Sequence, residues 1–481
     1  MRTLEICLLL LNALLLLWGI LSRGRPRWIL VAGLAGLPLM MAQILLEGAR
    51  WQMLPAYAVT AIVFVMNLRL LISSSLPDSQ WKLEIILFHL AGLGLIGLAG
   101  LLSWALPVFT FPDPTGAYPV GTVTLHFTDD GRRETFSANT NDHRELMVQL
   151  WYPAETSPDA RREKYLANLN GSGMAKRKAF GARFAQLELV ETHSFHHAAV
   201  SKAQRAWPIL IFSPSWSGSR NQNTFQAEEL ASHGFIVAGI DHTYCTGITA
   251  FPDGRIIFSD PSLDTDFSSD EAVQRYIVVA AAQARLRGQD AVFVLNQLEK
   301  LNVKDSDGLF TGKMETSRAG IFGHSFGGTV AAEACWLDPR FKAGLNMDGM
   351  LFGDPVEARI GQPFMFMNED EVPATAAEMA RSSFAKLDGR SFQVQDAYLK
   401  RNGGFNLSIK KTKHINFSDT ALFSPVHRLT GAGSLNARRG LKIVDAYTLA
   451  FFEKYLSNTA APLLDGPSSD YPEVTLEKYG R

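Results

Sequence analysis

Gly323-His324-Ser325-Phe326-Gly327-Gly328 is the stretch of sequence that decides the fold of this chain. It follows a short apolar run, residues 319–322, and precedes small residues, 329–336, that are compatible with a helix. The pattern G-x-S-x-G between a strand and a helix predicts a sharp turn that exposes a nucleophilic serine. Glycines flank the serine because so tight a turn leaves no room for neighbouring side chains. Ser325 is therefore the candidate nucleophile, and the N–H of Phe326 is a candidate donor to the attacked carbonyl oxygen.

A nucleophilic serine needs a general base, and residue order narrows the choice among the eleven histidines. After this kind of turn, the acid and then the histidine follow the serine along the chain. His414 and His427 are the two histidines that lie beyond any plausible acid. His414 follows a strand-like alternating run, residues 404–410, within a polar loop where a mobile imidazole is expected, whereas no strand precedes His427. His414 is therefore the candidate base.

The residue pattern alone leaves the acid open. One predicted strand, residues 341–346, ends just before Asp348, and the next, residues 363–367, ends just before Glu369 and Asp370. A carboxylate at either strand end could hold the imidazole tautomer and stabilise the imidazolium.

Several motifs together resemble one family. They are the Gly-His-Ser-Phe-Gly-Gly turn, an aspartate 23 positions after Ser325, and a late Lys-His-x-Asn-Phe-x-Asp over residues 413–419. Further matches lie at residues 144–153, 207–213 and 231–237. In this order, the motifs are similar to those of the plasma-type platelet-activating factor acetylhydrolases, the group VII phospholipases A2, and their bacterial relatives. The resemblance covers roughly residues 115–457.

This resemblance implies an α/β-hydrolase fold with a mostly parallel central sheet. It also implies that Ser325 is the nucleophile, Asp348 the orienting acid and His414 the base, with Glu369 and Asp370 as loop carboxylates. The chain departs from the family at Ser213-Pro214-Ser215-Trp216, where the family usually has His-Gly after Phe-Ser. Pro214 has no N–H to donate. The family's donor position falls on Trp216, so the backbone N–H groups of Trp216 and Phe326 are the expected oxyanion donors.

The first hundred or so residues differ in composition from the rest of the chain, because long apolar runs dominate them. Four apolar runs occupy about residues 6–21, 28–46, 53–72 and 85–109. Each is near or above the roughly 20 residues that span a bilayer as a helix. We therefore predict a transmembrane region of about four helices over residues 1–110, a linker over 111–120 and a catalytic domain over 121–481.

Arginines after the first run indicate the orientation. Arg23, Arg25 and Arg27 follow the apolar segment rather than precede it, which is unlike a cleaved signal peptide. Positive loops favour the cytoplasm, so four spans place the catalytic domain on the extracytoplasmic side of a multi-pass membrane protein. Arg50 in the second loop opposes this orientation, although Glu47 lies beside it.

Composition excludes several classes of function. The formal net charge of −1 gives no sign of a nucleic-acid partner, and three cysteines make no disulfide framework. The cluster His193-x-x-His196-His197 has metal-like spacing but lacks a companion carboxylate or cysteine motif. Acyl transfer through Ser, His and Asp needs neither metal nor organic cofactor, and none is expected.

These observations predict a membrane-anchored serine ester hydrolase. The resemblance implies a lipid substrate, a phospholipid with a short or oxidised acyl chain, or a related small ester. One alternative is a catalytically silent membrane receptor that keeps the fold for binding, which the altered Ser213-Pro214-Ser215 segment favours. The others are an acyltransferase and an esterase of small soluble esters.

Overall fold

Two compact units make up the part of the chain that the structure describes. The computed structural model describes residues 1–22, 26–72, 83–157, 159–167, 181–263, 265–370 and 372–480. The first unit contains the first 110 residues, the 3₁₀ helix Ala182–Leu189 and the segment Phe423–Val426. The second unit contains most of the remaining chain. Arg23 and Arg25, on which the predicted orientation depends, lie outside the described residues.

Four long helices form the first unit: α1 (Thr3–Leu21), α2 (Arg27–Glu47), α3 (Leu54–Ile72) and α4 (Leu83–Ala105). When the 3₁₀ turn that precedes α3 is counted as part of that helix, the four helices are 19 to 23 residues long, and they are apolar enough to cross a membrane. Helix α1 packs against α2 and α4, and α3 packs against the same two helices. Large apolar side chains such as Leu14 and Leu45 face outward, and an extensive exposed apolar surface marks a site of contact with lipid or protein.

A buried ion pair lies within the first unit. The Arg50 guanidinium binds both carboxylate oxygens of Glu5 at 2.6 and 2.7 Å, and it donates to the Leu106 carbonyl at 2.9 Å. The partner of Arg50 is thus Glu5 at the start of α1, whereas Glu47, its neighbour in the sequence, lies 3.8 Å from the Arg2 guanidinium.

Two segments from far along the chain complete the first unit. Gln186 of the 3₁₀ helix accepts a hydrogen bond from the Gln52 amide at 2.9 Å. The Phe423 ring stacks on Phe109 with centroids 5.7 Å apart, and the Ser424 hydroxyl donates to the Ala105 carbonyl at 2.5 Å. The compact unit therefore draws on residues from beyond the predicted boundary near residue 110.

The second unit is built on an eleven-stranded sheet. Two further strands, β7 and β8, form a separate hairpin. In chain order the strands are β1 (Val120–Arg133), β2 (His143–Pro153), β3 (Arg162–Lys164), β4 (Glu191–His196), β5 (Trp207–Ser213), β6 (Ile236–His242), β7 (Ile248–Ala250), β8 (Ile256–Phe258), β9 (Met314–His324), β10 (Phe341–Met347), β11 (Phe364–Asn368), β12 (Gly404–Ile409) and β13 (Val474–Tyr479). The order across the sheet is β13-β12-β11-β10-β9-β5-β6-β2-β1-β4-β3.

The centre of this sheet is parallel. Strands β6, β5, β9, β10, β11 and β12 run side by side in one direction. Strand β13 is antiparallel to β12, and β2 is antiparallel to both of its neighbours, β6 and β1. Central parallel strands are covered on both faces and need continuous apolar runs, which explains why all seven residues of β5 are buried. The predicted α/β fold with a mostly parallel sheet is confirmed.

Helices pack around this sheet and its loops. They are α5 (Thr224–Ser232), α6 (Asp270–Val303), α7 (Phe326–Leu337), α8 (Ala376–Met379), α9 (Ser383–Asn402), α10 (His427–Thr430) and α11 (Ala437–Leu456). Ser213 is in register with Gly323, and His324 with Met347, so β5, β9 and β10 end at the same edge. The loops that follow these strands therefore meet there.

Candidate active site

Ser325 occupies the turn between β9 and α7. Its φ of 56° lies in the left-handed region, which is strained for a residue with a side chain. The surrounding packing explains the glycines: a Cβ on Gly323 would lie 2.1 Å from the Gly327 carbonyl oxygen, and one on Gly327 would lie 1.9 Å from the Ser213 carbonyl oxygen. Only glycine allows the strand and the helix to meet this closely, and the tight turn leaves the Ser325 side chain accessible.

Three predicted side chains meet at this turn. The Ser325 hydroxyl lies 2.9 Å from His414 Nε2, and His414 Nδ1 lies 2.6 Å from Asp348 Oδ2. If Nδ1 donates to the carboxylate, Nε2 is left as the acceptor for the serine proton. The arrangement can therefore activate a serine hydroxyl for attack on a carbonyl carbon.

The structure brings Asp348, rather than Glu369 or Asp370, to the imidazole. Asp348 follows β10 with a φ of 59°, and its Oδ1 accepts the Glu369 N–H at 2.8 Å, which fixes the carboxylate. Asp370 accepts the Lys411 N–H at 2.7 Å, and Glu369 lies 3.9 Å from the Lys413 ammonium. The two alternative carboxylates thus have partners in the loop that carries His414.

The loop that carries His414 is held by two polar side chains of the 413–419 motif. Asn416 Oδ1 accepts the N–H groups of Lys413 at 2.8 Å and Gly433 at 2.7 Å. Asp419 accepts the N–H groups of Thr224 and Phe225 at the start of α5, at 2.9 and 3.2 Å. An aspartate there satisfies N–H groups that have no partner within the helix. The motif therefore positions His414 through its other polar members.

His324, immediately before the serine, belongs to a second chain of hydrogen bonds. Its Nε2 donates to the His414 carbonyl at 2.9 Å, and its Nδ1 accepts from the Gln222 amide at 2.6 Å. Gln222 Oε1 accepts the Ser215 N–H at 2.9 Å. Burial lowers the pKa of His324 to about 3, so the ring is neutral with one donor and one acceptor. The Ser215 loop and the His414 loop are thereby connected through two side chains.

The two expected oxyanion donors are neighbours. The Trp216 and Phe326 rings meet edge to face with centroids 4.5 Å apart. Among the backbone hydrogen bonds of the described turns and loops, none uses the N–H of Trp216 or Phe326. Both N–H groups stay the expected oxyanion donors.

A cavity of about 590 Å³ opens at Ser325 and His414. Seven aromatic side chains contribute to its lining: Trp216, Phe267, Tyr276, Phe326, Phe352, Phe384 and Phe392. Amides and hydroxyls of Asn368, Asn406, Ser408 and Gln395 also line it. Its size suits an organic substrate of moderate size.

A second Ser–His–Asp set lies at the ends of β5 and β6. Ser213 Oγ is 3.1 Å from His242 Nε2, and His242 Nδ1 is 2.9 Å from Asp290. All three side chains are fully buried, and burial lowers the pKa of His242 to about 4. With no access for a substrate, this set can only position the end of β5.

The remaining sequence candidates lie elsewhere. His427 begins the short helix α10 and is not among the residues that line the cavity. His193 pairs with Glu228, and His196 with Glu163. Among the described residues, no group of histidines, cysteines and carboxylates could hold a metal ion.

Sequence reasoning missed Gln222 and the position of His324. His324 is visible as the variable residue of the G-x-S-x-G pattern, but its partners lie 90 and 102 residues away. It also missed the aromatic lining, which comes from five separate segments of the chain.

Comparisons with known proteins identify the family. The model of the family described as platelet-activating factor acetylhydrolase, isoform II, matches residues 106–461. A probable 1-alkyl-2-acetylglycerophosphocholine esterase from the fungus Arthroderma benhamiae is 27% identical over 79% of this chain and 97% of its own length. The platelet-activating factor acetylhydrolase of Cavia porcellus is 24% identical over 72% of this chain and 78% of its own.

A solved structure shares the fold. The ferulic acid esterase from Streptomyces cinnamoneus superposes with a TM-score of 0.62 at 28% identity, over 77% of this chain and 99% of its own. The family match spans well over half of the chain, and the two relatives and the solved S. cinnamoneus structure are all esterases. The chain therefore belongs to the platelet-activating factor acetylhydrolase, isoform II, family and is a carboxylic ester hydrolase with an α/β-hydrolase fold.

Proposed function

We propose that the protein is a membrane-anchored serine esterase that cleaves short or oxidised acyl esters of phospholipids, or related esters, through an acyl-enzyme on Ser325. The observation that carries the proposal is the continuous set of contacts from Ser325 through His414 to Asp348, at 2.9 and 2.6 Å. It opens into a cavity large enough for an acyl ester.

In this proposal, Ser325 Oγ attacks the ester carbonyl while His414 Nε2 takes its proton. The N–H groups of Trp216 and Phe326 stabilise the negative oxygen of the tetrahedral intermediate. Protonated His414 then gives its proton to the departing alcohol, and Asp348 stabilises the imidazolium. Water, deprotonated by His414, releases the acid from Ser325 in the same way.

The substrate class rests on the relatives and the cavity. The name of the A. benhamiae relative specifies an acetyl ester of a glycerophosphocholine. A second candidate is hydrolysis of esters of aromatic acids, because seven aromatic rings line the cavity that opens at Ser325 and the similar solved structure is a ferulic acid esterase. Values of kcat/KM for an acetyl and a feruloyl ester of the same alcohol separate the two: the larger value identifies the acyl class.

A fluorophosphonate probe tests the proposed nucleophile. We expect stoichiometric covalent labelling of the detergent-solubilised full-length protein, because a fluorophosphonate reacts with a serine activated by an adjacent base. Peptide mapping by mass spectrometry should find the adduct on Ser325, and an excess of ester substrate should slow its formation.

Other outcomes of this labelling support the alternatives. Absence of an adduct on folded protein would favour a catalytically silent receptor. An adduct on Ser325 together with acyl transfer to an added alcohol, faster than release of free acid, would favour an acyltransferase.

The membrane anchor is part of the proposal. The four helices of the first unit have the length and composition of membrane spans, and they expose apolar side chains outward. We assign residues 1–110 to the membrane region, 111–120 to a linker and 121–481 to the catalytic domain. Tethering keeps the site at a high effective concentration of its lipid substrate.

Labelling of an introduced cysteine tests the orientation. Of the native cysteines, Cys245 and Cys335 are buried and Cys7 is exposed on α1, so the background is Cys7→Ser. Lys202→Cys places a thiol on the surface of the catalytic domain, where the lysine side chain is 79% exposed. We expect it to react with an impermeant maleimide on intact cells, because Arg23, Arg25 and Arg27 favour a cytoplasmic first loop. Protection until the cells are lysed would show the opposite orientation.

A further inference from the structure

One buried arginine holds the segment that departs from the family pattern. Arg287, on α6, is fully buried. Its guanidinium donates to three backbone carbonyls: Ser215 at 3.3 Å, Trp216 at 3.0 Å and Cys245 at 2.7 Å. Two of these carbonyls belong to the loop that follows Pro214. A planar fork of donors is suited to fixing several acceptors at once.

The contact with Ser215 sets the direction of the Trp216 N–H. The Ser215 carbonyl and the Trp216 N–H belong to one planar trans peptide, so they point in opposite directions. A donor that holds the carbonyl on the buried side therefore turns the N–H away from Arg287. A charged donor also polarises that peptide, which strengthens its N–H as a donor.

The same cation contacts the second proposed donor residue. The guanidinium carbon lies 4.8 Å from the centroid of the Phe326 ring and 5.4 Å from that of Trp216. These two rings also meet edge to face, so Arg287 packs against both residues whose N–H groups are the proposed oxyanion donors. In a site with little water, a fixed positive charge near a developing negative oxygen is worth more than in solution.

We propose that Arg287 is a positioning residue of the oxyanion hole: it fixes the Ser215–Trp216 peptide so that a loop with Pro214 still presents a donor N–H. The proposal rests on the proposed function, in which Trp216 and Phe326 supply that hole. Arg287 binds the Ser215 and Trp216 carbonyls of this loop, while the Gln222 side chain accepts the Ser215 N–H.

Two substitutions of Arg287 test this role. Arg287→Met removes the charge and all three donations, and we expect kcat to fall about 100-fold with KM changed less than about threefold, the loss typical of one oxyanion donor. Arg287→Lys keeps a cation but not the fork, and an intermediate loss of about tenfold in kcat is expected. Rates are expressed per active site, counted with the fluorophosphonate probe.

An inhibitor that forms a tetrahedral adduct distinguishes two roles of Arg287: positioning the oxyanion donor, and only stabilising the fold. A trifluoromethyl ketone forms a hemiketal with Ser325 whose oxygen occupies the oxyanion position. Its inhibition constant should rise across wild type, Arg287→Lys and Arg287→Met by the same factors by which kcat/KM falls. If Arg287→Met does not fold, the Lys variant alone decides: an unchanged inhibition constant and unchanged kcat would overturn the proposal.

Arg401 supplies a matched control. It also donates to three backbone carbonyls, those of Pro355, Val356 and Ala358, but none belongs to the Ser215–Trp216 loop. Arg401→Met should lower the unfolding temperature and leave kcat per active site unchanged. If Arg287→Met behaves in the same way, Arg287 is only structural. If wild-type protein forms no adduct on Ser325, the proposed function itself is wrong, whatever the variants of Arg287 do.

Discussion

Replacement of Ser325 by alanine is expected to lower kcat for ester hydrolysis about a million-fold, the size of effect seen when the nucleophile of a serine–histidine pair is removed. The expected loss is this large because the acyl-enzyme route disappears with the hydroxyl that His414 Nε2 contacts at 2.9 Å. The residual activity reflects only the oxyanion donors and substrate binding, about 10³-fold over water. KM or the inhibition constant of a substrate analogue should change little, because alanine leaves the cavity open.

The buried Ser213 provides the control for this measurement. It also contacts a histidine that contacts an aspartate, with distances of 3.1 and 2.9 Å. Ser213→Ala should cost stability, about 1–3 kcal/mol for the unsatisfied buried partner, and leave kcat within about tenfold of wild type. If Ser325→Ala kept more than a few per cent of the activity while Ser213→Ala lost most of it, the assignment of the nucleophile would be wrong.

The fold was predictable because its decisive features are local in sequence. A strand, a glycine-flanked serine and a helix within about twenty residues specify the turn, and glycine is required at Gly323 and Gly327 by contacts below 2.2 Å. The family resemblance and the mostly parallel sheet are both confirmed. The four apolar runs likewise correspond to helices long enough to span a membrane.

The supporting contacts of the site were not predictable because they join residues distant in sequence. Arg287 meets the Trp216 carbonyl across 71 positions, and no motif connects the two. One signal was present: Ala280, Ala284, Arg287 and Ala291 follow one another at helical spacing on a buried face, and an arginine there demands partners. Which carbonyls it would bind depends on loop packing, which periodicity does not describe.

The choice of acid shows the same limit. Strands β10 and β11 are adjacent and parallel, with Met347 in register with Met367. The carboxylates that follow them therefore reach the same edge of the sheet, and strand pattern cannot rank them. Two features distinguish Asp348 from the other two carboxylates: its left-handed backbone conformation, and the hydrogen bond that its side chain accepts from the Glu369 N–H. Its role in catalysis stays a prediction.

Asp348→Asn is expected to lower kcat about 10⁴-fold with little change in KM. The carboxylate accepts from His414 Nδ1 at 2.6 Å, which leaves Nε2 free to take the serine proton. An asparagine can instead present its NH₂ group to Nδ1, because the Glu369 N–H requires an acceptor at the other oxygen. The imidazole would then carry its proton on Nε2, facing Ser325, and could not act as a base.

Asp370→Asn and Glu369→Gln are the matched variants, each a carboxylate replaced by its amide in the loop after β11. Asp370 holds the Lys411 N–H, and Glu369 lies near the Lys413 ammonium, so each should change kcat by less than about tenfold. Fluorophosphonate labelling rates should follow the same ranking, because phosphonylation of Ser325 needs the same base. If Asp370→Asn lost most of its kcat while Asp348→Asn stayed near wild type, the orienting acid would be Asp370, which follows β11, and not Asp348. The 2.6 Å contact of Asp348 with His414 would then serve only to hold the loop.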